Sequence, residues 1–331
     1  MVTKDDVRAA YRLILGREPE NEEVLAFHAE QFSSLEEMRA AFFSSPEFHH
    51  CFEICSRPLD WPPIKVEVDA KLSELSAMMR HMELNWSQLG ISEPHWSVLS
   101  KEAFRAYNIV HTEQQFFDSG RADVDRLKRI AERCGVTLSE YQRCFELGCG
   151  VGRMTTWLAD LFNQVVAADI SQTHLALARQ ALHRFGRTNA DLVHFNSFAA
   201  LDTISEFDFF CSLIVLQHNP PPLISYLLQR LLNKLRPGGI AYFQVPTYRL
   251  NYSFQIGEYL NHSAPAGIIE MHLIPQVHLF NIIQSNGCRL LECREDPSTG
   301  DYDTISNVIF AKKRDLTASD KAVASTVGYK T

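Results

Sequence analysis

The chain has 331 residues, 46% of them hydrophobic, and a formal net charge of −8. That length suits two domains with packed cores. The acidic balance argues against nucleic acid as a partner, because no basic stripe is present to release counterions from a phosphate backbone.

The opening MVTKDDVRAAYRLILGREPE lacks the apolar centre of a signal peptide, and no stretch approaches 18 apolar residues. A cytoplasmic protein without a membrane span is expected. The cysteines are Cys51, Cys55, Cys134, Cys144, Cys149, Cys211, Cys288 and Cys293, with no C-x-x-C pair among them. Cys51 and Cys55 stand one helical turn apart, but no second pair completes a zinc site, so reduced thiols and no metal are expected.

In chain order, residues 1–57 form a small helical domain. Val7, Ala10, Tyr11 and Ile14 make a helical stripe that Gly16 ends, Ser34 before Glu36 and Glu37 starts another helix, and Ser45-Pro46-Glu47 starts a third. YRLILGREPE followed by SSPEF resembles a small helical domain family of unknown function found in bacterial surface and glycan-related proteins. Residues 58–135 follow as a helical linker, entered through the breaker WPPIK. There Val68, Leu72, Leu75, Met79, Met82, Trp86 and Leu89 recur at steps of four and three and stop at Gly90. Such a seam forms either a homodimer through residues 68–89 or a long helix packed on its own chain. Residues 101–118 and 121–134 read as two helices separated by Ser119-Gly120.

From Arg143 the pattern alternates strand and helix. Strands are expected at 143–147, 165–169, 192–195, 207–214 and 240–245. The helices between them carry Met154, Trp157, Leu158 and Leu161, then residues 172–185, then Leu223 to Leu235, stopped by Pro237-Gly238-Gly239. Helix 275–285 precedes an antiparallel pair, CRLLECRE and NVIFAKK. This is an α/β fold, a doubly wound and mostly parallel sheet, over residues 136–313. Residues 314–331 are polar and expected to be disordered.

The first turn of that sheet reads ELGCGVGR (146–153). Glycine there admits a ligand that a Cβ would repel. A dinucleotide fingerprint fails, because its third position falls on Arg153 or Thr155, and no Gly-Lys-Ser/Thr is present for a P-loop. Glu146 suits a cationic ligand. Asp169 ends the second strand, where a carboxylate accepts hydrogen bonds from ribose hydroxyls. An ammonium and a ribose without phosphate describe S-adenosylmethionine. ELGCGVGR, AADIS, FDFFCSLIVLQH and LLNKLRPGGIAYFQVP resemble the successive motifs of class I S-adenosylmethionine-dependent methyltransferases, with the seven-stranded Rossmann-like sheet that this implies.

The resemblance implies roles for individual residues. Gly148, Cys149, Gly150 and Gly152 shape the loop around the methionine moiety, and Glu146 orients its ammonium. Asp169 holds the ribose and Ile170 touches the adenine, with Asn196 and Ser197 near adenine N6. Ser212 and Leu213 face the sulfonium. Arg153 pairs with the methionine carboxylate or is a surface arginine. Phe116 and Phe117 cover the cofactor or are core residues.

Gln217-His218-Asn219-Pro220-Pro221-Pro222 compares with the Asn-Pro-Pro-Tyr of amino-methyltransferases, yet Pro222 replaces the stacking ring; the alternative is that the prolines start the next helix. His218 is a base or a brace at the lip of the site. Residues 246–274 form a long loop, where specificity commonly sits. Gln244, Tyr248, Tyr252 and Tyr259 are the candidate substrate-binding residues, and Glu270 and His272 the candidate bases; the alternative is an ordinary lid. The expected activity is O-methylation of a sugar, glycan or other hydroxylated small metabolite. N-methylation of an amino group and a non-catalytic donor-binding scaffold are the alternatives.

Overall fold

The computed structural model describes residues 2–45, 47–48, 61–261, 266–296 and 303–315. Cys51 and Cys55, Pro46, the boundary expected at residue 57 and the tail from 316 onward lie outside these. The chain divides into two compact units, Met1–Pro62 and Pro63–Thr331.

The first unit contains α1 (Lys4–Ile14), α2 (Glu22–Gln31) and α3 (Leu35–Phe43). Each start has a capping side chain. Thr3 and Asp6 form a capping box, Asn21 accepts from Val24 N–H, and Ser34 accepts from Glu37 N–H. Val7, Tyr11, Leu25, Met38 and Phe42 make its core.

The second unit begins with β1 (Lys65–Val66), α4 (Leu72–Ser92), α5 (Pro94–Val98) and α6 (Ile109–Arg133). Two glycines expected to break helices do not. Gly90 lies inside α4, where a Cβ would stand 2.6 Å from Ser171 Oγ. Gly120 lies within the continuous α6, where a Cβ would stand 2.0 Å from the Arg153 carbonyl oxygen. Both mark close helix-to-loop packing. Val68 precedes α4 and Leu72 is exposed, while Leu75, Met79, Met82 and Leu89 are buried within the chain. The stripe read as a possible dimer seam is thus occupied by the chain itself.

The sheet unites β2 (Arg143–Leu147), β3 (Gln164–Asp169), β4 (Ala190–His194), β5 (Phe207–Ser212), β6 (Leu235–Arg249), β8 (Cys288–Glu295) and β9 (Thr304–Lys313). Their order is β4-β3-β2-β5-β6-β9-β8. All neighbours are parallel except those of β9, which is antiparallel to β6 and β8. The helices between are α7 (Thr155–Leu158), α8 (Gln172–Arg184), α9 (Phe198–Thr203), α10 (Pro221–Lys234), α11 (Ile256–Asn261) and α12 (Gln276–Ser285). The helix expected after the glycine turn is a single turn. The strand expected at 240–245 runs to Arg249, and β7 (Ser253–Phe254) then pairs in parallel with β1. This is the expected doubly wound, Rossmann-like sheet. Successive strands are added on one side of β2 through β3 and β4 and then on its other side from β5 onward, and this switch opens a crevice at the carboxyl ends of β2 and its neighbours. Among the described residues no helix is long and apolar enough to cross a membrane.

Candidate active site

The crevice is a cavity with about 870 Å³ of empty space, its open mouth included. Its floor is the turn after β2. Gly148, Gly150 and Gly152 all have positive φ, at 75°, 54° and 83°. A Cβ on Gly148 would meet Val215 Cγ2 at 2.4 Å, and one on Gly150 would meet Val98 Cγ2 at 2.5 Å. These two glycines and Cys149 line the cavity, whereas Gly152 lies behind it against Ala178.

Two carboxylates flank this turn. Glu146 is buried and accepts from Thr155 Oγ1 at 2.7 Å. Burial pushes its carboxyl up to about 7, despite that hydrogen bond and the nearby Arg153. Asp169 Oδ2 accepts from Gly150 N–H and Oδ1 from Ser171 N–H, each at 2.8 Å, so this side chain also fixes the turn. Arg153 is buried, not a surface group, and pairs with Asp123 at 2.7 Å from the cavity wall. Cys149 lines the cavity as a thiol whose pKa burial raises well above the ordinary range.

Ile170, Phe195, Met79, Met82 and Trp86 form an apolar wall. The expected adenine contacts Asn196 and Ser197 are exposed and lie off the cavity, and Asn196 donates to Glu83 at 3.0 Å. Phe195, one residue earlier, faces inward instead. Met79, Met82 and Trp86 escaped the sequence reading of the site because a heptad stripe records burial and not what lies beneath it. Phe116 and Phe117 are core residues against Phe104 and Val151.

The turn after β5 supplies Leu213, Ile214, Val215, His218 and Asn219. Ser212, expected here, is buried and donates to the Leu147 carbonyl at 3.1 Å, tying β5 to β2. Ile214 has φ of 59°, and its N–H donates to Gln244 Oε1 at 2.9 Å. Gln244 Nε2 in turn donates to Ser306 at 2.6 Å. Gln244 therefore braces this turn and does not line the cavity.

His218 Nδ1 lies 2.9 Å from the Glu270 carbonyl oxygen. A carbonyl only accepts, so Nδ1 carries the hydrogen and Nε2 is the acceptor nitrogen, without a hydrogen-bond partner among the described residues. Burial lowers the ring's pKa to about 4, partly offset by the Glu270 hydrogen bond. His218 is therefore neutral around pH 7.

Glu270, His272, Tyr252 and Tyr259 lie off the cavity as a connected cluster. The Glu270 carboxylate accepts from His81, Tyr259 and His272, each at 3.0 Å, and Tyr252 reaches His272 Nδ1 at 2.8 Å. Burial would raise the Glu270 carboxyl, but the hydrogen bonds from His272, His81 and Tyr259 outweigh it and hold it down at about 2. So low a value makes it a poor proton acceptor, which corrects its expected place as a base. Tyr248 pairs with Ile305 in the register of β6 and β9, away from the cavity.

Residues 145–239 match the family model of a methyltransferase domain. The chain carries a methyltransferase domain. The cavity lining has features that suit an S-adenosylmethionine donor: a side-chain-free turn, a buried carboxylate without a full counter-charge, and an apolar wall. A comparison with curated proteins finds no match. Similar solved structures include magnesium protoporphyrin IX methyltransferase from Synechocystis with bound SAM, at 16% identity and a TM-score of 0.47 over 72% of this chain and 97% of that one. Another is the N-methyltransferase NodS from Bradyrhizobium japonicum, at 14% identity and a TM-score of 0.45 over 69% and 98%.

Proposed function

We propose that this methyltransferase acts on a hydroxyl group of a small metabolite, with His218 as the base. The observation that carries this reading is the His218 Nδ1 bond to the Glu270 carbonyl, which leaves a neutral ring with Nε2 free in a residue lining the cavity. S-adenosylmethionine supplies an activated methyl group, so the chain must orient the acceptor, exclude water and take one proton. Glu146 faces the ammonium and Arg153 the carboxylate of the methionine moiety. Gly148, Cys149 and Gly150 shape the floor, Asp169 takes the ribose hydroxyls, and Ile170 and Phe195 sandwich the adenine. Leu213, Ile214 and Val215 border the reacting carbon, and α4 with α5 roofs the crevice through Trp86 and Val98.

The acceptor class suited to this lining has an apolar face and few charges, because the Trp86 ring lies 5.1 Å from that of His218 and Val215 also lines the cavity. A sugar ring meets that description. The N-terminal resemblance to glycan-related proteins is the other support for a sugar, in a cytoplasmic enzyme. Asn219 supports a second reading. Its amide nitrogen donates to the Val215 carbonyl at 3.0 Å, which leaves its oxygen for an acceptor amine.

Incubating the protein and a cell extract with methyl-tritiated donor, then identifying the labelled product, tests the proposal. Label in a methyl ether, lost at least ~100-fold in His218→Phe with donor affinity retained, supports it. Label confined to amines or carboxyl esters, or full turnover by His218→Phe, contradicts it.

A further inference from the structure

His174 has a nitrogen with nothing to bind. It is the third residue of α8, and its ring is fully buried in the cavity wall. Nε2 lies 3.2 Å from the Pro94 carbonyl oxygen and 3.0 Å from Ser97 Oγ. Since the carbonyl only accepts, Nε2 carries the hydrogen. Burial lowers the ring's pKa, so the neutral form prevails and Nδ1 holds a bare lone pair. That Nδ1 has no hydrogen-bond partner among the described residues. It stands 3.9 Å from Asp169 Oδ1, and two acceptors so placed have nothing to offer each other. A Cβ on Gly90 of α4 would stand 3.3 Å from Nδ1, so the glycine leaves that nitrogen uncrowded on this side. A buried acceptor left without a donor is costly and points to a ligand that supplies one.

We propose that His174 is a donor-binding residue whose Nδ1 accepts a hydrogen bond from one ribose hydroxyl while Asp169 accepts from its neighbour. Paired acceptors of this kind match a vicinal diol, which presents two O–H groups on adjacent carbons. The inference rests on the reading of Asp169 as the ribose contact. It adds that the diol is held from two sides by two chemically different acceptors. The tether of Nε2 to Pro94 and Ser97 gives His174 a further consequence: α5, which roofs the crevice, is fastened to the same ring that would grip the sugar.

Calorimetry with S-adenosylhomocysteine and its 2′-deoxy and 3′-deoxy analogues tests this. His174→Asn keeps an amide near the place of Nδ1, whereas His174→Gln keeps one near Nε2 and loses the other. The expected result is near-native affinity for His174→Asn and about fivefold to tenfold weaker binding for His174→Gln. In His174→Gln, one of the two deoxy analogues should also lose the penalty that it shows with the native protein. Native affinity in His174→Gln, or unchanged penalties for both analogues, overturns the proposal and assigns Nδ1 to a buried water. If His174→Gln does not fold, 15N-histidine spectra of the native protein decide. The Nδ1 resonance should move on addition of S-adenosylhomocysteine, and a stationary resonance overturns the proposal. Failure of the underlying reading has a different signature: Asp169→Ala would bind S-adenosylhomocysteine as tightly as the native protein.

Discussion

Donor affinity should depend on pH through Glu146. The carboxyl is buried, its one direct hydrogen bond among the described residues comes from Thr155, and burial lifts its pKa to about 7. The proposed ligand group beside it is an ammonium, which favours the ionised form. Binding must therefore remove a proton wherever Glu146 is protonated in the free enzyme. The sign follows: affinity is full above pH 7 and weakens toward tenfold per unit below it. Between pH 7.5 and 5.5 the ionised fraction falls about 25-fold, so the dissociation constant should rise about 25-fold, or about 2 kcal/mol. Calorimetry with S-adenosylhomocysteine in buffers of different ionisation enthalpy reads both quantities. Near pH 6.5 about 0.8 proton should be released per ligand bound. Glu146→Gln should flatten the profile and release none. A flat profile in the native enzyme, or release that persists in Glu146→Gln, refutes the assignment of Glu146 to the ammonium.

The same groups set the pH dependence of stability, with opposite signs. Glu146 has a raised carboxyl, so the folded state holds the extra proton and stability falls as pH rises from 4.5 to 7. His218 has a depressed pKa, so the unfolded state holds the extra proton and stability rises from pH 4 to 6.5. Thermal melting of ligand-free Glu146→Gln should show a rise in Tm over pH 4.5–6.5 that the native protein largely cancels, and His218→Phe should show the fall. Gly120→Ala should destabilise by ~1–3 kcal/mol, since its Cβ would meet the Arg153 carbonyl at 2.0 Å; an unchanged Tm would show that α6 can move away. Glu270→Ala should lower kcat and leave donor affinity intact, because the carboxylate fixes the segment whose carbonyl orients His218. A loss of donor affinity instead would place that cluster at the donor site.

The sequence announced the sheet well because alternation of apolar strands and amphipathic helices is a local signal. It was less informative where a residue's meaning depends on what lies opposite. Gly90 and Gly120 looked like breaks, since a glycine that ends a helix and one that admits a neighbouring backbone read alike. Asn196 and Ser197 stand one step too far along β4's exit to reach the cavity, because a single-residue shift there turns an inward side chain outward. Glu270, His272, Tyr252 and Tyr259 share one segment of the sequence, but spacing does not tell that their polar groups satisfy one another. His174 left no signal at all: only the geometry shows that a buried histidine keeps one nitrogen unused.

The central claim is that the glycine turn after β2 and Asp169 together hold the adenosyl donor. A crystal structure of the protein with S-adenosylhomocysteine measures this directly. The account predicts the ribose diol against Asp169, with the adenine between Ile170 and Phe195. Density for the ligand elsewhere, or a diol turned away from Asp169, would contradict it.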